Sequence, residues 1–188
     1  MAALAGVQCS WGTKTYEEGE TRVDGDGNIW QCQSENGNAI WVKVVPNIWP
    51  SMRQLKSQSP GLCIGVSGSS QAEGANVVQG GCVSGNTSQA WAQIGVYGYG
   101  AYGWLINEHS GLCINVNGSG LLYQDTCTTL NTNQFWRKYT SGSYWKFQNY
   151  VSGQVITVPG GYNIGGLQLG QYPDLNLSYQ KWSILPIV

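Results

Sequence analysis

Residues 111–136 read GLCINVNGSGLLYQDTCTTLNTNQFW. Two short apolar runs, one carrying Cys113 and one closing on Cys127, are separated by Asn and Gly and followed by a polar loop that ends at Gln134-Phe135-Trp136. The same order occurs upstream as GLCIGV (61–66), NVVQGGC (76–82) and Gln89-Ala90-Trp91. It occurs downstream as GQVITV (153–158), GGLQLGQY (165–172) and Gln180-Lys181-Trp182. The closing tryptophans fall 45 and 46 residues apart, a period that marks one structural unit copied three times. Alternation of Leu62, Ile64 and Val66 has the period of two of a strand with one buried face. Each copy also has an apolar opening strand, for which Leu55, Ile106 and Phe147 are the expected equivalent positions. Four strands per copy in three copies make about twelve strands, the number in a β-trefoil, and no segment sustains a helical period.

Composition agrees with an all-β, loop-rich chain. Charged residues make up 10% of the 188, against roughly 25% in average globular proteins, while Gly reaches 27 and Trp 9. A net charge of −1 gives no basic face for phosphates, so nucleic acid and anionic membrane are not expected partners. No run approaches the ~18 apolar residues of a spanning helix, so membrane insertion is not expected either. Six cysteines, none in a C-x-x-C pair, point to disulfides and not to metal or redox chemistry. Of the roughly 15 possible connectivities, chain order and repeat phase favour Cys9 with Cys32, Cys63 with Cys82 and Cys113 with Cys127. Loops of this length contribute on the order of 3 kcal/mol each by chain entropy. An oxidising compartment, hence secretion to the extracellular space, follows. Met1–Gly6 lacks the charged start and long apolar run of a signal peptide and reads as a start codon placed ahead of a mature N-terminus.

Val45-Pro46-Asn47-Ile48-Trp49-Pro50 separates regions of different composition: six of the ten acidic residues precede it. The expected organisation is a small disulfide-closed, β-hairpin-type module over 1–45, a linker over 46–50 and a threefold domain over 51–188. In the first module, Asp24-Gly25-Asp26-Gly27-Asn28 reads as a hairpin turn. That turn also matches part of a calcium loop, but Ile29 stands where the sharp turn needs Gly, so no metal site is assigned.

The stretches SPGLCIGV with VVQGGCVSGNTSQAW, and HSGLCINV with LYQDTCTTLNTNQFW, resemble ricin B-type lectin domains, whose signature is a Cys-bearing strand, a second Cys and a closing Gln-x-Trp. The resemblance covers about residues 51–188 and implies a β-trefoil that binds carbohydrate. The third copy departs from it by carrying Val155 and Tyr172 in place of cysteines. The pattern GTKTYEEGE with GNIWQC is similar to small disulfide-closed modules such as fibronectin type I or short chitin-binding modules.

A pyranose needs an aromatic face and a few fixed polar groups. In the resembling family an Asp follows the first Cys by two residues, an aromatic precedes the second Cys by two, and Asn-Gln opens the closing motif. The first copy offers Gly65, Gly80 and Ser88 at these places before Gln89; the third offers Thr157, Gly170 and Tyr179 before Gln180. The second retains Asn115, Asp125 and the intact Asn133-Gln134, with Tyr123 on the same strand face as Asp125. The expected carbohydrate site is therefore Asn115, Tyr123, Asp125, Asn133 and Gln134. The aromatic run from Val96 to Trp104 is either an exposed stacking surface or a connection whose rings cover the barrel end.

Catalysis has little support: His109 is the sole histidine and has no partner set for a triad. No cofactor motif is present and no catalytic residue is assigned. The expectation is a non-enzymatic, secreted lectin for galactose-type or other cell-surface glycans or glycoproteins, with avidity from several sites or from a homo-oligomer. Two rivals are a trefoil whose loops bind protein, as a peptidase inhibitor or a toxin or receptor-interaction module, and a targeting module of a larger enzyme.

Overall fold

The computed structural model describes residues 7–45 and 47–187, the side chain of Trp49 excepted. Met1–Gly6 and Pro46 of the expected linker lie outside the described residues. Strands β1 (Gln8–Trp11) and β2 (Lys14–Glu17) form a hairpin, and β3 (Thr21–Val23), β4 (Ile29–Glu35) and β5 (Asn38–Val45) a three-stranded antiparallel sheet. Twelve further strands form one sheet. The first copy supplies β6 (Arg53–Ser57), β7 (Cys63–Val66), β8 (Val77–Gly80) and β9 (Ala90–Gly95). The second supplies β10 (Tyr102–Asn107), β11 (Cys113–Val116), β12 (Leu122–Asp125) and β13 (Trp136–Ser141). The third supplies β14 (Tyr144–Asn149), β15 (Val155–Thr157), β16 (Gly170–Tyr172) and β17 (Trp182–Pro186).

Strands β6, β9, β10, β13, β14 and β17 pair in a closed antiparallel ring. The hairpins β7–β8, β11–β12 and β15–β16 gather at one end of that ring, linked to each other by single bridges such as Asn76 to Tyr123 and Leu121 to Gly170. This is a β-trefoil.

Register carries the threefold relation down to single residues. Trp91, Trp136 and Trp182 lie opposite Arg53, Gly103 and Trp145. Each indole is at most 2% exposed, and its Nε1–H donates to the carbonyl of Ile64, Ile114 or Ile156 at 3.0, 3.1 and 3.3 Å. The motif tryptophans thus bury a large apolar area without orphaning the one polar atom each carries.

Leu55, Leu105 and Phe147 form the next layer, paired with Ile184, Gln93 and Lys138. Leu105, and not Ile106, is therefore the partner of Leu55 and Phe147. Ile106 faces outward, into a second apolar cluster with Ile29, Ile48, Trp104 and Phe135. The period-two pattern is unreadable in β10 because the N-terminal sheet covers its outer face, leaving both faces apolar.

The N-terminal segment is joined to the second copy by backbone bonds as well. Thr21 N–H donates to the Cys127 carbonyl at 2.7 Å and Thr129 N–H to that of Gly19 at 3.3 Å. Disulfides join Cys9 to Cys32, Cys63 to Cys82 and Cys113 to Cys127, as chain order and repeat phase favour.

Candidate functional site

The glutamine of each closing motif ends a 3-10 turn: Thr87–Gln89, Thr132–Gln134 and Ser178–Gln180. The first two are capped by Asn86 and Asn131, whose side chains accept from the N–H of Ser88 and Asn133. The motif glutamine turns inward. Gln134 Nε2 donates to the Thr126 carbonyl at 2.7 Å and its Oε1 accepts from Thr128 N–H at 2.9 Å. Gln89 grips Gly81 and Val83 in the same way, and Gln180 grips Pro173 and Leu175. Gln134 has no exposed surface. A role for Gln134 in touching sugar is thus replaced by a role in shaping the loop that follows β12.

Asn115, Tyr123 and Asp125 do converge. Antiparallel register places Asn115 opposite Tyr123 and Cys113 opposite Asp125, so the three side chains share one face of the β11–β12 hairpin. Asn115 Nδ2 donates to the Tyr123 hydroxyl at 2.8 Å and to Asp125 Oδ2 at 3.2 Å, while its Oδ1 accepts from Val116 N–H. At 1% exposure, Asn115 is a saturated internal strut. What it presents to solvent is the half-buried pair of Tyr123 and Asp125. Burial, aided by the nearby Asp125 carboxylate, pushes the Tyr123 phenol above its ordinary pKa, so the hydroxyl keeps a proton to donate. Asp125 Oδ1 accepts from Thr126 N–H. Asn133 is exposed, on the turn that packs against β11. The carboxylate has in effect crossed the hairpin, from the family's place on β11 to its aromatic place on β12.

The other copies are built differently. In the first, a Cβ at Gly65 would stand 3.0 Å from Gln89 Cγ, so the clamped glutamine crowds any acid there. The remaining cleft, about 240 Å³, is lined by Gly65, Gly80, Ser69, Asn86 and Ser88, without carboxylate or ring. In the third, Thr157 is buried and accepts from Gln180 Nε2 at 3.2 Å. The third copy also carries Tyr162 and Tyr172, both exposed, and the half-buried Tyr179, ring faces that alignment to the family's aromatic position misses because none occupies it.

The family model of the ricin-type β-trefoil lectin domain matches residues 15–136 and, again, 51–182. The chain belongs to this family. The two matches end on Trp136 and Trp182, one repeat apart. Among solved structures, this lectin domain is similar to the designed threefold protein ThreeFoil, with 24% identity and a TM-score of 0.65 over 72% of this chain and 99% of that one. It is also similar to an exo-β-1,3-galactanase from Clostridium thermocellum, with 24% identity and a TM-score of 0.71 over 85% of this chain. It spans only 34% of the galactanase. The C-half of the earthworm R-type lectin, solved with GalNAc, matches at 14% identity and a TM-score of 0.61 over 72% of this chain and 98% of that one. A comparison with curated proteins finds no match.

Other features of this ricin-type chain fall to structural work. Asp24 accepts from the N–H groups of Asp26 and Asn28, from Asn28 Nδ2 and from Trp30 Nε1. Those donors, Asn28 first, hold its carboxyl far below the ordinary range. Of the aromatic run, Tyr99 and Tyr102 meet Phe135 and Tyr150 edge to face and Trp104 is buried, while Tyr97 alone is fully exposed. Those rings seal the second apolar cluster, not the barrel end. His109 rests between Gln71 and Thr87 at 3.3 and 3.4 Å.

Proposed function

We propose that this domain binds galactose-type or related cell-surface glycans without catalysis, through the second copy. The observation that carries the reading is the Asn115 amide bridging the Tyr123 hydroxyl and the Asp125 carboxylate. A fixed acceptor, a phenolic donor with its ring and the exposed Asn133 amide are the kinds of group that orient sugar hydroxyls. Gln134 acts one step back, by holding the loop.

Such a site is shallow, so useful affinity comes from several sites or from a homo-oligomer. Secretion fits the three disulfides. In this reading residues 1–45 form an accessory module, 46–50 the connection and 51–188 the binding domain, with the module buttressing the copy that binds. Glycan arrays probed with the parent, Asp125→Ala, and Asn115→Ala with Asn133→Ala test it. Loss of the parent's signal in the variants is expected. Unchanged binding removes the site, and a blank array from folded parent protein transfers the case to a protein ligand.

A further inference from the structure

The barrel has a second end, opposite the three hairpins, and it is incompletely filled. The register above puts six positions there: Arg53, Gly103 and Trp145 opposite the motif tryptophans, and Gln93, Lys138 and Ile184 opposite the Leu55 layer. Small barrels ordinarily fill such positions with apolar side chains. Here Gly103 supplies none, and a Cβ on it would stand 2.2 Å from the Ile94 carbonyl oxygen, so the place is barred to any other residue. Two more are taken by long cations whose heads reach solvent. The outcome is a cavity of about 300 Å³ floored by Leu55, Trp91, Leu105 and Phe147, with Arg53 and Lys138 at its rim.

Neither cation is in an ion pair with a described residue, although Arg53 shares a neighbouring cleft with Glu108. Among the described residues the ion pairs are Lys14 with Glu73 and Lys146 with Asp174, and no carboxylate lines the cavity. Arg53 Nη1 donates to the carbonyls of Pro50 and Met52 at 2.9 and 2.6 Å, which ties the guanidinium to the segment crossing the mouth. A greasy group gains by taking its own apolar surface out of water into this mouth, and two cations that form no ion pair among the described residues favour an anionic head.

We propose that the barrel mouth is a binding site for a small, soluble amphipathic anion, whose apolar chain or ring lies on the Leu55, Trp91, Leu105 and Phe147 floor and whose carboxylate or sulfate sits between Arg53 and Lys138. The site is separate from the second-copy hairpin and does not depend on glycan binding.

Calorimetric titration of the whole chain with octanoate, 1-octanol and acetate tests it. Octanoate is expected to bind at least about tenfold more tightly than 1-octanol, and acetate not measurably, since both floor and head contribute. Arg53→Gln with Lys138→Gln is expected to bring octanoate down to the level of 1-octanol and leave 1-octanol unchanged. Ile184→Trp, filling the mouth, is expected to abolish both. Should that variant not fold, the charge variant decides. The proposal is overturned by absence of octanoate binding, by equal affinity for octanoate and octanol, by indifference to the charge variant, or by binding seen only with phosphatidylglycerol vesicles.

Discussion

Gln134 Nε2 donates to the Thr126 carbonyl at 2.7 Å with no solvent access to the glutamine. Removing that amide orphans two backbone groups, the buried Thr126 carbonyl and the half-buried Thr128 N–H, each worth about 1–3 kcal/mol when left unpaired away from water. Gln134→Ala is therefore expected to lower unfolding free energy by about 2–4 kcal/mol in urea denaturation. A loss below about 0.5 kcal/mol would mean that the loop holds its shape without the clamp.

Asn115→Asp restores the family's residue and is expected to harm this chain. Asn115 Nδ2 already lies 3.2 Å from Asp125 Oδ2, so the new carboxylate faces an old one, and like charges at that distance raise the pKa of the pair. A folded-state pKa raised above the unfolded value of about 4 gives stability that grows as pH falls through the raised value. The variant should be less stable than the parent at pH 7 and close the gap on acidification, read by denaturation at a series of pH values. A gap that does not vary with pH would contradict this.

Lys146, 3% exposed, donates to Asp174 at 2.6 Å, and the Tyr139 hydroxyl donates to the same carboxylate. Burial pushes Asp174 up, but the bonds from Lys146 and Tyr139 outweigh it and hold its pKa below the ordinary value. The Tyr139 phenol, desolvated and bonded to that carboxylate, is pushed well above its ordinary value and remains a donor throughout. A depressed carboxyl contributes stability that is full above its unfolded pKa of about 3.9 and lost as pH falls through the folded value. Asp174→Asn should therefore flatten the acid limb of the stability curve relative to the parent. An unaltered limb would assign acid lability to other groups.

The Cys113–Cys127 bond closes a separation of 14 residues and contributes about 3 kcal/mol in the chain-entropy account. The Cys127 carbonyl also accepts from Thr21 N–H and Oγ1–H. Replacing both cysteines by Ser should thus speed hydrogen exchange at Thr21 as well as lower global stability. Replacing Cys63 and Cys82 should lower stability similarly and leave the exchange of Thr21 relative to the global rate unchanged. Equal local effects from the two pairs would show that the seam to the N-terminal sheet does not rest on the second copy's disulfide.

The threefold architecture was legible because motif tryptophans and cysteine pairs recur in phase, and each has one structural job that constrains its neighbours. Reading failed where a residue has two plausible partners. Ile106 reads as the inward residue because nothing in the local sequence says that residues some 60–80 positions upstream, around Ile29 and Ile48, will cover the outside of β10. Gln134 reads as a ligand group because an amide in a loop motif looks the same whether it faces water or the backbone. A sign was available: a glutamine at this place in all three copies, including two without other sugar-type groups, argues for duty to the fold. Asn115 and Asp125 are legible from their places two residues after Cys113 and two before Cys127, and Tyr123 from strand alternation with Asp125; the hairpin register then brings all three to one face.

Where the N-terminal sheet docks also says something about the three copies. The outer face of β10 carries Trp104 and Ile106; the equivalent places on β6 are Gln54 and Lys56, and on β14 Lys146 and Gln148. The middle residue of the closing motif follows suit, Phe135 standing against Ala90 and Lys181. Those few side chains act as an address, legible to the sheet at one of three otherwise equivalent berths. The repeats of this molecule consequently cannot be exchanged for one another: a trefoil rebuilt from three second copies would offer the sheet three competing berths, and one rebuilt from three first copies would offer it none.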